Sequence, residues 1–174
     1  DQLAWRSLRQ NRGGHARIVA MLIEAGAQIE ARNQSGATAL LQAAGRGSVD
    51  CMRALLDAGA SINASDSAGR TPLIAAIGSG RYDAAKFIID RKADVAGSGG
   101  ALLGAVENRQ NDVVRLLVEA GAPVNAADSE GRTPLAAAVA GWNLEAAKLL
   151  VEKKADVNVR LGNSTLLMHA VEKQ

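Results

Sequence analysis

Residues with the chemistry for catalysis are scarce in this chain of 174 residues, which contains two histidines and one cysteine. Enzymes need a nucleophile beside a base, a pair of carboxylates or a set of metal ligands held in one cleft. His15 and His169 lie near opposite ends of the sequence, and neither is close to Cys51 along the chain. A reactive thiolate requires a neighbouring base or a helix N-terminus, so we interpret Cys51 as a small buried hydrophobic residue. The residue types therefore predict a protein that is not an enzyme and that holds no cofactor or metal.

The charge balance and the apolar runs exclude further classes of function. Twenty basic residues against 18 acidic ones give a formal net charge of +2, which is too small to indicate a polyanionic partner. No run reaches the roughly 18 apolar residues that a membrane span needs. A single cysteine rules out an intramolecular disulfide and is more typical of intracellular proteins. We expect a chain that is monomeric by itself, has no membrane span and does not bind nucleic acid.

The elements that position these residues must be built with few aromatic side chains. Aromatic residues make up 2% of the chain, whereas hydrophobic residues make up 48%. The core must therefore consist of Ala, Leu, Ile and Val, which are small enough for helices to approach closely. This composition favours tightly stacked helices.

A repeated turn sets the order of these helices. The phrase Ala-Gly-Ala recurs along the chain, and Lys-Ala takes its place in two repeats. The Gly or Lys of these phrases is found at intervals of 33, 33, 29 and 33 residues, at Gly26, Gly59, Lys92, Gly121 and Lys154. An apolar pair precedes each turn at a constant distance. The spacing predicts one face of a helix, repeated once per turn.

A second phrase marks the start of another helix in each repeat. Thr71-Pro72-Leu73 matches Thr133-Pro134-Leu135 and, less fully, Thr38-Ala39-Leu40 and Thr165-Leu166-Leu167. Thr can cap a helix start, and Pro fits the first helical turn because its missing N–H costs nothing there. Gly47 and Gly80 follow the Ala-rich stretch and separate it from the next helix. Each repeat thus contains a short first helix and a longer second helix.

The combined pattern resembles the ankyrin repeat, in which a turn and two antiparallel helices occupy about 33 residues. The resemblance covers almost the whole chain and implies an all-α repeat protein, a solenoid of helix-turn-helix units joined by β-turn or hairpin loops. We expect one domain over residues 1–174, with five repeats and a truncated sixth. Their predicted bounds are 1–32, 33–65, 66–97, 98–127, 128–160 and 161–174.

One repeat departs from the pattern by being four residues shorter. It reads Ala96-Gly97-Ser98-Gly99-Gly100, a glycine-rich stretch that lacks the Gly-Lys-Ser/Thr ending of a phosphate-binding loop. We interpret it as a truncated turn.

The resemblance also implies where a partner would bind, because in ankyrin repeats the turn tips and first helices line a concave groove that binds other proteins. Binding energy concentrates in a few Trp, Tyr and Arg residues, so arginines and Trp142 are the predicted anchors. Trp142 has a second interpretation, which is packing against the final half-repeat. The predicted partner-binding residues are Gln34, Ser67, Arg70, Glu130 and Arg132 at the turns, Arg46, Ser79, Glu107 and Asn108 at first-helix ends, and Trp142 between two helices.

The remaining aromatic residues and an N-terminal basic cluster have structural interpretations. Tyr82 and Phe87 fall at apolar places of a second helix, and we expect both in the core. We expect Trp5 to cap the N-terminal end of the stack. The basic cluster comprises Arg6, Arg9, Arg12 and Arg17. Because no aromatic residues are interleaved with these arginines, we interpret the cluster as the solvent side of this cap and not as a nucleic acid-binding patch.

These observations predict a non-catalytic scaffold for protein–protein interaction. An alternative remains open, in which the chain is the recognition or substrate-recruiting part of a longer enzyme or effector. The chain begins with Asp1 rather than Met, so we expect it to be processed, excised or part of something longer.

Overall fold

The structure is a computed structural model that describes residues 14–97 and 100–172. The chain divides into two compact units, Asp1–Ala93 and Asp94–Gln174, called the N-terminal and C-terminal units below. The predictions for Trp5, Arg6, Arg9 and Arg12 fall outside the described residues. Within the described ranges, no helix has both the length and the apolar character that crossing a membrane requires.

The N-terminal unit is built from two layers of helices. Its first-helix layer pairs α2 with α4, and in its second-helix layer α3 packs against α1 and α5. Each first helix also packs against the second helix that follows it. The helices are α1 (Gly14–Glu24), α2 (Ala39–Arg46), α3 (Val49–Asp57), α4 (Pro72–Gly78) and α5 (Tyr82–Asp90).

The C-terminal unit repeats this arrangement and ends with a short hairpin and one further first helix. Its helices are α6 (Ala101–Glu107), α7 (Asn111–Glu119), α8 (Pro134–Ala140), α9 (Leu144–Glu152) and α10 (Leu166–Glu172). Strands β1 (Arg160–Leu161) and β2 (Ser164–Thr165) pair antiparallel and precede α10. The predominantly helical repeat fold predicted from the sequence is confirmed.

The first helices begin where their threonines predict. The Oγ1 atom of Thr71 accepts a hydrogen bond from the N–H of Ile74 at 3.3 Å, and Thr133 accepts one from Ala136 at 3.2 Å. Pro72 and Pro134 occupy the first turns. Each cap satisfies one of the backbone N–H groups that a helix start leaves without an intrahelical partner.

Residues in the left-handed backbone region connect the first helix to the second. Gly47 and Gly80 have φ angles of 76° and 66°, as glycine tolerates without strain. In the C-terminal unit the same place holds Arg109 and Trp142, with φ angles of 55° and 52°. This geometry confirms that Trp142 occupies the inter-helix turn. A non-glycine residue there costs about 1–2 kcal/mol.

The core consists of small aliphatic side chains, as the composition predicts. Leu40, Leu73 and Leu135 are buried at equivalent places of three first helices. Cys51 is buried in α3, and burial, together with the charge of Asp50, raises the pKa of its thiol. A raised pKa disfavours the thiolate, in agreement with a packing role.

One predicted core residue lies outside the core. Tyr82 is exposed because it is the first residue of α5, at the edge of the helix face that packs inward. Phe87 is half-buried, and its ring lies under the guanidinium groups of Arg53 and Arg91, at 4.9 Å and 5.1 Å from the ring centroid. The prediction of a core position is therefore wrong for Tyr82 and only partly correct for Phe87.

Candidate protein-binding surface

The turns before the first helices are held by one side chain each. Asp66 is buried, and its Oδ1 atom accepts hydrogen bonds from the N–H groups of Ala68 and Arg70, both at 2.9 Å. Asn33 holds the preceding turn in the same way, through bonds from Ser35 and Ala37 at 3.0 Å. Asx side chains stabilise turns by such local bonds to the backbone. The turn tips are therefore fixed in shape by the chain itself.

The C-terminal unit contains an equivalent turn. Asp128 Oδ1 accepts hydrogen bonds from the N–H groups of Glu130 and Arg132, both at 2.9 Å. The N–H of Arg132 is the largest influence that lowers the pKa of Asp128, and the N–H of Arg70 does the same for Asp66. Burial opposes this effect, and the arginine side chains reinforce it. Both carboxyl groups are thus held in the ionised form.

Each of these carboxylates also holds an arginine that the sequence predicts as a partner anchor. Arg70 Nε donates to Asp66 Oδ2 at 2.9 Å, yet 57% of the Arg70 side chain remains exposed. The guanidinium of Arg132 faces three carboxylates, Asp128 at 2.8 Å, Glu107 at 3.1 Å and Glu130 at 3.6 Å. Hydrogen bonding to Asp128 raises the pKa of Arg132. The structure therefore brings three predicted residues of the C-terminal unit together as one ion-pair cluster.

The predicted residues of the N-terminal unit are exposed at both ends of α2 and α4. Gln34 and Ser67 lie on neighbouring turns, which are joined by a bond from the N–H of Ser67 to the carbonyl of Ser35 at 3.1 Å. Arg46 ends α2 and Ser79 follows α4. A methyl group added at Gly45 would lie 3.8 Å from the Ser79 hydroxyl, which places the two helix ends side by side.

Trp142 combines features of both interpretations that the sequence left open. Its indole stacks on the His169 ring of α10, with centroids 6.4 Å apart and an interplanar angle of 29°. The residue nevertheless keeps 47% of its surface exposed. Asn108 is also exposed, directly after the end of α6. Trp142 is thus partly packed against the final helix and partly available for contact.

The described residues contain no group of three or more His, Cys, Asp or Glu side chains that could hold a metal ion. His15 lies exposed in α1, and Cys51 lies buried in α3. His15 and Cys51 line the same pocket in the N-terminal unit, whereas His169 belongs to the C-terminal unit.

Comparison with known proteins identifies the repeats. The sequence matches the family described as ankyrin repeats (3 copies) over residues 9–97 and 102–174. The chain belongs to the ankyrin repeat family.

A solved structure shows the same ankyrin fold. The crystal structure of the ankyrin repeat domain of Bcl-3, a member of the IkappaB protein family, superimposes with a TM-score of 0.79 and is 32% identical in sequence. The match covers 89% of this chain and 72% of that chain. The ankyrin fold predicted from the turn and Thr-Pro patterns is thereby confirmed.

Curated relatives match shorter parts of this ankyrin chain. Acyl-CoA-binding domain-containing protein 2 of Arabidopsis thaliana is 54% identical over 50 residues, which are 28% of this chain and 14% of that protein. BRCA1-associated RING domain protein 1 of Caenorhabditis elegans is 40% identical over 75 residues, which are 42% of this chain and 10% of that protein. The matched segment is thus a small part of each of these relatives.

Sequence reasoning missed several contacts of the ankyrin turns. Arg32 Nη1 donates to the carbonyls of Gly36 at 2.8 Å and Ser65 at 2.6 Å, and so links two successive turns. Arg109 Nη1 donates to the carbonyl of Gly141 at 2.7 Å and links two inter-helix turns. The separations of 33 and 32 residues are close to one repeat, which is the signal that would have identified both pairs.

Proposed function

We propose that this chain binds a partner protein through its turn tips and first helices. Ankyrin repeats are generally protein–protein interaction modules, and the observation that carries the proposal here is the fixed, exposed arginine of the turn. Arg70 is oriented by Asp66 through the Nε bond at 2.9 Å while 57% of its side chain remains exposed. A side chain that is already ordered loses less conformational entropy when a partner binds.

Trp142 supports the same surface in the C-terminal unit. Among the described residues, ten other large hydrophobic residues are exposed, but only Trp142 of the whole set has its backbone in the left-handed region. Tryptophan is enriched among the residues that dominate binding energy. Trp142 therefore combines a strained backbone with an exposed indole, and a contact between the indole and a partner would explain this combination.

A second candidate function is recognition on behalf of a longer protein. The chain spans 14% and 10% of the two curated relatives, whose names carry an acyl-CoA-binding domain and a RING domain. A short ankyrin segment thus occurs within longer proteins that have other domains. In this alternative the same surface recruits a substrate or target for a catalytic or effector domain elsewhere in the natural protein.

Affinity capture with matched variants tests the proposal. The parent chain and the variant Arg70→Gln/Trp142→Ala are immobilised, and proteins are captured from a lysate of the source organism at physiological salt. The control variant Lys86→Gln/Leu144→Ala makes the same kinds of change at exposed places on second helices. We expect a protein that the parent and the control retain and that the surface variant loses.

Two other results would count against the proposal. Equal retention by the surface variant and the control would show that binding uses another surface, provided that circular dichroism shows all three chains folded. Retention of no protein by the parent would remove the support for an interaction module. The alternative is tested separately by the size of the endogenous protein, which is detected with an antibody against this chain and compared with the recombinant 174 residues.

A further inference from the structure

The charges on the turns and first helices of the N-terminal unit are strongly one-sided. Helices α2 and α4 contain no acidic residue. Four exposed arginines lie on the turns before these helices or at and just after their C-terminal ends, and the carboxylates on the same turns are Glu30, which accepts a bond from the N–H of Ser61 at 2.8 Å, and Asp66; the arginines are Arg32, Arg46, Arg70 and Arg81. We call this set of four arginines the basic face.

The basic face is divided into two pairs. The first pair lies at the turn tips. Arg32 donates to the carbonyl of Ser65, and the next residue, Asp66, accepts a hydrogen bond from the side chain of Arg70. At the opposite helix ends, a methyl group added at Gly47 would lie 3.0 Å from the Cδ atom of Arg81, so the Arg81 side chain covers the residue that follows Arg46. Because α2 has eight residues, it is about 12 Å long, and the two pairs lie at or beyond its opposite ends.

Several residues between the pairs are small. Gly45 lies against α4, with a methyl group added there 3.8 Å from the Ser79 hydroxyl and 3.9 Å from the Ala75 Cβ. Side chains of this size leave room for another chain to approach the helices closely. The arginines at both ends would then reach its side chains.

Two further carboxylates belong to the second-helix layer. Asp50 and Asp83 lie in the first turns of α3 and α5, which are second helices. On the first helices and their turns, four arginines are therefore accompanied by two carboxylates, Glu30 and Asp66, and both accept hydrogen bonds from backbone N–H groups. In the C-terminal unit the corresponding residues Glu107, Asp128 and Glu130 surround Arg132, so the excess of positive charge is confined to the N-terminal unit.

We propose that the basic face recognises an acidic segment of the partner protein, an inference that rests on the proposed function. Arginine presents five N–H donors in a planar fork that matches carboxylate geometry. Arg32 and Arg70 use some of their donors within the turns and keep others for a ligand. Tyr82 is the one exposed aromatic side chain next to these arginines along the described chain, whereas single-stranded nucleic acids stack successive bases on several such side chains, and this favours an acidic peptide over a nucleic acid.

Fluorescence anisotropy with defined probes tests this proposal. The probes are a labelled 12-residue peptide of alternating Glu and Ser, the same peptide with Gln for Glu, and a labelled 12-nucleotide oligodeoxythymidine. Each is titrated at low salt with the parent, with Arg46→Gln/Arg81→Gln, and with the control Arg17→Gln/Lys86→Gln. The control removes the same charge from exposed residues of second helices.

We expect the Glu peptide to bind the parent and the control within twofold of each other, and to bind the basic-face variant about tenfold more weakly. The Gln peptide should not bind. The proposal is overturned if the parent does not bind the Glu peptide, if the control weakens binding as much as the basic-face variant does, or if the oligonucleotide binds more tightly through the same arginines. A lysate partner that is lost with Trp142→Ala but kept by Arg46→Gln/Arg81→Gln would leave the proposed function standing and reject the acidic segment.

Discussion

At the scale of single residues, the buried carboxylate of Asp66 links the turn to pH. The pKa of Asp66 in the folded protein is lower than the value of about 3.9 in an unfolded chain. The largest cause is the hydrogen bond from the N–H of Arg70. Such a group stabilises the fold fully above the unfolded pKa, and this contribution is lost as pH falls through the folded pKa. We expect Asp66→Asn to lower the melting temperature at pH 7 by roughly a few degrees, with the gap to the parent closing below about pH 4.

Thermal unfolding followed by circular dichroism between pH 2 and pH 7 measures this gap. The control is Asp90→Asn, which removes an exposed carboxylate at the end of α5 in the same unit. The control should change the melting temperature less at pH 7. A gap for Asp66→Asn that stays constant down to pH 2 would show that ionisation of this carboxylate does not stabilise the turn.

Trp142 offers a second prediction at this scale. Trp142→Gly relieves a left-handed backbone that costs about 1–2 kcal/mol and loses a ring stack worth about 0.5–1.5 kcal/mol. The two effects oppose each other, so we expect the free energy of unfolding in urea to change by less than about 1 kcal/mol. A much larger loss would show that the indole is mainly a packing residue, with Gly at this position unable to replace it.

At the scale of the helices, packing rather than intrinsic propensity maintains the structure. First helices of seven or eight residues are too short to be stable alone in water. Leu73 is fully buried in α4, whereas Leu167, at the equivalent place of α10, is 77% exposed. We expect Leu73→Ala to lower the free energy of unfolding by about 2–5 kcal/mol and Leu167→Ala by less than about 1 kcal/mol.

Urea unfolding monitored by circular dichroism compares the two variants, which make the same change at the same place of the repeat. Each serves as the control for the other, because only the burial of the leucine differs. Equal losses of stability would mean that Leu167 is covered by other residues in solution.

These helices also show how far the sequence predicts the structure. The Thr-Pro phrases and the glycines that follow locate the first helices, because capping and left-handed backbone depend on local residue type. Burial depends on neighbouring elements, and for this reason Tyr82, at the start of α5, could not be placed correctly from its apolar character. The predicted arginine anchors lie exposed at their turns, but their ion pairs with Asp66 and Asp128 became visible only in the structure.

At the scale of the whole molecule, a net charge of +2 conceals an uneven distribution between the units. In the N-terminal unit, Arg46 and Arg81 make no ion pair with a residue that the structure describes, whereas Arg132 in the C-terminal unit meets three carboxylates. Salt screens exposed charges that are not paired within the protein, and it has little effect on an apolar contact. Salt should therefore separate the contributions of the two units to partner binding.

We expect a captured partner to bind the parent and Trp142→Ala more weakly as salt rises from about 50 to 500 mM, whereas the already weakened Arg46→Gln/Arg81→Gln variant should respond much less. Isothermal titration calorimetry with the purified partner at both salt concentrations measures the three affinities. A salt response of the arginine variant as steep as that of the parent would place the electrostatic contact elsewhere on the chain. The affinity of each variant at high salt is compared with its own affinity at low salt. A substitution that weakens binding equally at both salt concentrations therefore cannot produce the expected result.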